Sequence, residues 1–285
     1  MRKLIWLVGL ALLLTGCSSE TQNAENKGSE LRIVAAAAGA AEILQEIGLT
    51  KEIVGVDERN SWLSSASVVT SGHSFNFESL IALQPSHVVL DTLTDSTEVR
   101  DRLSSSGINI VELPTATSIP GIYNKYTVLG KAFNREDEAR IASQDLQARF
   151  ADLEITTRNF RIAFLYLRGT NAIYFVGGKE SGADSIIAAI GSTDVGAQSL
   201  NNPFSPLTAE VMRKLNPEVL LLMTKGYESV GGLKGLKNLP GLAETDAVKQ
   251  NRVVVIDDRA LLDFGPQTIL VLQQMQEQLR KFDAA

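Results

Sequence analysis

Two stretches of this chain echo one another. "NFESLIALQPSHVVLD" (residues 76–91) and "LTAEVMRKLNPEVLLLMTKG" (residues 207–226) each run from an amphipathic helix through a proline into an apolar strand. Proline lacks an N–H and clashes with the preceding turn, so each helix must stop there. The runs that follow are apolar at consecutive positions, the pattern of a strand buried on both faces. One such unit in each half of the chain predicts two α/β lobes, each with its own parallel sheet.

The flanking sequence keeps the same rhythm. "LRIVAAA", "IVGVD" and "INIVELP" are predicted strands of the first lobe, with "AAEILQEIG" and "STEVRDRLSSSG" as helices; Asn76 is placed to cap the helix of the first echo. In the second half "FRIAFLYLRG" and "IYFVGG" are predicted strands and "SGADSIIAAIG" a helix ended by Gly191. Between the halves, residues 119–154 are amphipathic and free of proline after Pro120, which fits one long helix or a broken pair. The expected layout is a lobe at 31–118, a helical bridge at 119–156 and a lobe at 157–285. Ligands of such folds sit at the carboxyl ends of the strands, in a cleft.

The N-terminus has a different character. Arg2 and Lys3 precede an apolar run from Leu4 to Leu14, followed by Leu14-Thr15-Gly16-Cys17. A charged start, a short apolar stretch and a small-residue cleavage site predict a signal peptide over residues 1–16. The ending resembles a bacterial lipobox, which makes Cys17 the expected site of acylation and membrane attachment. Residues 17–30 are polar and predict a flexible tether. Cys17 is the only cysteine, so disulfides and thiolate chemistry are excluded from the rest of the chain. A formal charge of -6 without a basic cluster argues against a nucleic-acid surface.

Few residues remain to carry chemistry. The sequence holds no Gly-rich phosphate loop, G-x-S-x-G elbow or H-E-x-x-H helix, and its two histidines cannot build a three-histidine metal site. His87 opens a buried strand and is expected to be structural. His73 follows Gly72 just ahead of a helix and is expected to project from the strand-end face. In "FLYLRG", strand alternation puts Phe164, Tyr166 and Arg168 on one face and Leu165 and Leu167 on the other. A phenol titrates near ~10, so it ligates a metal only when its charged form is stabilised. A ferric ion does that directly, and a neighbouring guanidinium assists. A core tyrosine beside a salt-bridged arginine is the plainer alternative. Tyr227 follows another strand end and is expected to line the pocket. Arg59, Lys225 and Arg259 each follow a strand near the cleft and are candidates to meet acidic groups of a ligand.

From residue 31 onward the chain resembles the haem-binding lipoproteins of bacterial haem-uptake ABC transporters. The matching stretches include "AAEILQEIGLTKEIVGVDERN", "SGHSFNFESLIALQPSHVVLD", "YLRG", "GKESGADSIIAAIG" and "VVVIDDRALLDFGPQT", in one order along the chain. The resemblance implies a class III substrate-binding protein of the helical-backbone type, a monomer and not an enzyme, that passes haem to a permease and its ATPase. It implies His73 and the Tyr166 phenolate as axial ligands of ferric haem, with Arg168 in support. It also implies one docking carboxylate per lobe, Glu42 in the first and Asp184, or failing that Glu180, in the second. Alternatives are a ferric-siderophore or cobalamin carrier of the same fold, and an exported hydrolytic α/β enzyme.

Overall fold

Residues 30–71, 74–92, 97–155 and 158–284 are described by the structure, a computed structural model. In chain order the first lobe runs β1 (Ile33–Ala35), α1 (Ala40–Glu46), β2 (Ile53–Val56), β3 (Ser67–Val68), β4 (Thr70–Ser71), β5 (Ser74–Phe75), α2 (Phe77–Ala82), β6 (His87–Asp91), α3 (Thr97–Ser105) and β7 (Asn109–Leu113). Helices α4 (Ile119–Ala132) and α5 (Glu136–Ala151) follow. The second lobe begins β8 (Arg161–Arg168), β9 (Ile173–Gly177), α6 (Ala183–Ala189), β10 (Thr193–Asp194), α7 (Val195–Ser199), β11 (Phe204–Pro206) and α8 (Ala209–Leu215). It continues β12 (Val219–Met223), α9 (Thr224–Ser229), α10 (Gly232–Leu236), α11 (Asp246–Lys249), β13 (Val253–Ile256), α12 (Asp258–Leu262) and α13 (Thr268–Asp283).

The two echoing units form as their residues dictate. Asn76 caps α2, its side chain accepting from the Ser79 N–H at 3.0 Å, and Thr208 does the same for α8 through Val211 at 3.2 Å. The first sheet is parallel throughout, in the order β3-β2-β1-β6-β7. The second has the order β11-β9-β8-β12-β13, with β10 also on β8. Here β9 runs antiparallel to β8 and to β11. Only Gly169–Asn171 and the left-handed Ala172 separate β8 from β9, too short a link for a parallel crossover.

Each sheet has two buried faces, and the faces sort into separate cores. Val34, Val88 and Leu90 pack on the outer side of the first sheet, and Ala163, Leu165, Leu167, Leu220 and Leu222 on the outer side of the second. The inner faces share one core: Ile33, Ala35 and Val89 of the first lobe, Ile162, Phe164 and Leu221 of the second, and apolar residues of α4, α5 and α13 between them. The bridge is a broken pair. Asn134, at φ 54°, turns the chain between α4 and α5, and Gly130 lies where a Cβ would come within 2.6 Å of the Ala139 Cβ. Asparagine tolerates the left-handed conformation, so no proline is needed to break the helix.

The lobes also meet directly. Lys125 of α4 is fully buried, and its Nζ donates to the carbonyls of Ala38 (2.8 Å), Asp263 (2.9 Å) and Phe264 (3.1 Å). Gly39, at φ 74°, passes so close to Gly265 that a Cβ on it would stand 3.1 Å from the Gly265 Cα. Replacing the ammonium by a thioether strands three carbonyls away from water. Lys125→Met is therefore expected to lower the unfolding free energy by about 3 kcal/mol, read from urea denaturation. An unchanged midpoint would contradict the joint.

Candidate functional site

A cleft of about 680 Å³ opens between the lobes at the carboxyl edges of both sheets. Asp57 and Asp91, at the ends of β2 and β6, line it from one side; Arg168, Lys225 and Asp258, at the ends of β8, β12 and β13, line it from the other. Strand ends are where carbonyls and side chains of a parallel sheet point out of the core, so polar groups gather there without breaking it.

The floor of the cleft is an ionic network that crosses between lobes. Arg59 holds Asp57 with two guanidinium nitrogens at 2.6 Å and reaches Asp263 of the other lobe at 2.9 Å, with Asp91 at 4.0 Å. Asp91 accepts the Ala38 N–H at 3.1 Å, and Arg259 donates to the Arg59 carbonyl at 2.7 Å. Behind Arg59 lies a smaller cavity of about 240 Å³, lined by Glu42, Trp62, Asp263 and Thr268 among others. Asp57, Asp91, Asp263 and Glu42 thus share Arg59 and Lys125, an excess of carboxylates in a poorly solvated place. Burial pushes Asp91 and Glu42 up and Asp263 up to about 7, with Arg59 opposing the last; burial also lowers Lys125 to about 8.

The expected site residues fall in different places. Tyr166 is half-buried near the end of β8, its ring edge-on to Phe204 at 5.8 Å, and the Arg168 guanidinium lies 4.5 Å over that ring. The predicted strand alternation is observed: Phe164 and Tyr166 pack on the inner core, Leu165 and Leu167 on the outer. The Tyr166 hydroxyl makes no hydrogen bond among the described residues. Arg168 itself lines the cleft, donates to the Leu167 carbonyl at 3.0 Å and approaches Asp258 at 3.9 Å. His73 lies outside the described residues, as does Cys17; β4 and β5, paired antiparallel, flank residues 72 and 73. His87 is structural: its Nδ1 is 3.0 Å from the Ser86 hydroxyl and its ring meets Phe133 edge-on.

Several expectations need correction. Tyr227 does not line the cleft; it packs on the outer core of the second lobe, and its hydroxyl accepts the Leu233 N–H at 3.0 Å. Glu42 lines the smaller cavity, and its Oε2 is buried without a hydrogen bond among the described residues. Both oxygens of Asp184 are occupied by the N–H groups of Glu180 (2.9 Å) and Gly182 (3.1 Å), while Glu180 stays exposed. Arg59 and Arg259 line the cleft but are already tied to protein acids. Lys225 lines it and is exposed. Lys125 and Asp263 were not anticipated. The lysine had a signal: it falls on the apolar stripe Ile122, Tyr126, Leu129 of its helix, where a solvated cation does not belong.

The cluster makes a pH prediction. Asp263 holds its proton above the range of the unfolded chain, so the stability this contributes is complete below about pH 4 and is lost as pH rises through about 7. Urea midpoints are expected to fall between about pH 5 and about pH 8, and Asp263→Asn to flatten that slope. A slope of equal size in the variant would place the proton elsewhere.

A family model described as "Periplasmic binding protein" matches residues 33–260. The uncharacterized ABC transporter substrate-binding lipoprotein YvrC of Bacillus subtilis is 22% identical over 270 residues, 92% of this chain and 83% of that protein. A cobalamin-binding protein of Halobacterium salinarum is 26% identical over 199 residues, 67% of this chain but only 53% of its own length. Among solved structures, the periplasmic heme-binding protein RhuT from Roseiflexus sp. RS-1 matches with a TM-score of 0.80 at 27% identity, covering 88% of this chain and 98% of that one. Heme-binding protein HmuT matches with a TM-score of 0.77 at 28% identity, covering 88% and 84%. Solved variants of HmuT have a tyrosine, an arginine two positions later and a histidine replaced by alanine, one at a time. These are substrate-binding transport proteins, which sets aside the exported-enzyme alternative.

Proposed function

Since the chain belongs to the periplasmic binding protein family, we propose that its cargo is ferric haem, captured in the cleft and passed to an ABC-transporter permease and its ATPase. Tyr166 carries this reading. It combines an uncommitted phenol with a guanidinium 4.5 Å above its ring, and that guanidinium belongs to Arg168, which lines the cleft. A phenol needs a hard cation and a nearby positive charge to ionise at neutral pH, and ferric iron and Arg168 would supply both. The tyrosine-arginine spacing chosen for substitution in HmuT matches Tyr166 and Arg168.

The same face suits a flat ring. Tyr166 pairs across strands with Phe175, which pairs with Pro206; Phe204 lies two pairs along, on the same face, and Ile173 stands opposite Arg168. Cross-strand partners share a face, so these side chains form an apolar platform. Covering a few hundred Å² of porphyrin there would contribute several kcal/mol at ~25 cal/mol per Å². His73 would supply the second axial ligand from the first lobe, Cys17 the lipid anchor at the outer face of the cell membrane, and Glu180 an exposed acid for the permease.

Cobalamin is the second reading, favoured by the Halobacterium relative. Visible spectra of the purified protein with ferric haem decide between ligand sets. Tyr166→Phe should remove the phenolate-to-iron band and weaken haem binding by at least roughly tenfold, His73→Ala should shift the Soret band, and Tyr227→Phe should change neither. A Tyr166→Phe spectrum identical to the parent's would overturn the assignment.

A further inference from the structure

We propose that Lys225 is the specificity residue that anchors a carboxylate of the cargo at the rim of the cleft; on the haem reading, which this rests on, that group is one propionate. The cations that line the cleft are Arg59, Arg168, Lys225 and Arg259. Arg59 is shared among Asp57, Asp91 and Asp263; Arg168 is held by the Leu167 carbonyl and Asp258; Arg259 is held by Asp257 and the Arg59 carbonyl. Among the described residues, the Lys225 ammonium alone of these four has neither an ion pair nor a hydrogen bond. A ligand carboxylate at any of the three arginines would share a guanidinium whose charge a protein acid already neutralises in part. At Lys225 it displaces only water.

The stem of this lysine is fixed although its head is free. The Lys225 N–H donates to Asp258 Oδ2 at 2.9 Å, and the Thr224 hydroxyl donates to the Ile256 carbonyl at 3.2 Å. Gly226 sits so close to β8 that a Cβ there would stand 3.0 Å from the Leu167 carbonyl oxygen. The start of α9 is therefore seated on the strand that carries Tyr166 and Arg168, within one residue of both. A long flexible side chain on a fixed base, at the mouth of a cleft and beside the proposed iron ligand, suits the carboxylate tail of a ring whose metal lies deeper in. One free ammonium also predicts that one propionate is held and the other left to solvent.

Affinities for ferric haem and for its dimethyl ester, measured by Soret titration, test this. The ester keeps the iron and the ring but has no carboxylate. The parent protein should prefer haem by roughly threefold to tenfold, the range for a partly solvated charge-assisted hydrogen bond. Lys225→Gln should erase that preference by weakening haem alone, Lys225→Arg should restore it, and Lys234→Gln, at an exposed position of α10, should leave it intact. An undiminished preference in Lys225→Gln overturns the assignment while leaving the haem reading standing. Failure of the parent to bind either porphyrin overturns both.

Discussion

Three backbone carbonyls share the ammonium of Lys125, and the geometry of the cleft follows from that arrangement. Ala38 belongs to the loop after β1, Asp263 and Phe264 to the loop before α13, and the lysine to the bridge. A buried cation is costly unless its donors are satisfied, so the three elements are held in one relative placement or the lysine loses its acceptors. The Gly39–Gly265 contact and the core shared by both sheets act in the same sense. Two lobes fastened at backbone level beneath their cleft have little freedom to hinge, so a ligand would find the cleft largely formed.

Above this joint, charge is distributed unevenly. Arg59 ties the lobes across the cleft floor, and carboxylates outnumber the buried cations around it. Such a floor does not favour an anionic ligand. The apolar platform around Tyr166 and Phe204 and the free ammonium of Lys225 lie instead on the second lobe. A cargo with a flat apolar body, a hard metal and peripheral acids would be matched by that division: ring on the platform, metal at the phenol, acid at the rim.

Much of the fold was legible because local chemistry and tertiary placement agree. Asn76 and Thr208 cap the helices of the echoing units, and the alternation in "FLYLRG" predicted which core each residue joins. What was not legible depended on contacts far apart in sequence. Glu42 sits in the first turn of α1 wherever that helix points; only its packing beside Arg59 and Thr268 turns it inward. Tyr227 follows a strand end, as a cleft residue would, but α9 and α10 fold back and the Leu233 N–H captures its hydroxyl. Asn134 carried a turn signal that an unbroken amphipathic pattern concealed. Lys125 stood on a buried stripe, yet its acceptors come from segments 87 and 138 residues away.

Calorimetric titration of the mature protein with ferric haem and, in parallel, with cobalamin bears most directly on what the cleft is for. Saturable binding of haem to one site per chain, with no heat from cobalamin, is the predicted result. Saturable uptake of cobalamin with none of haem would contradict it.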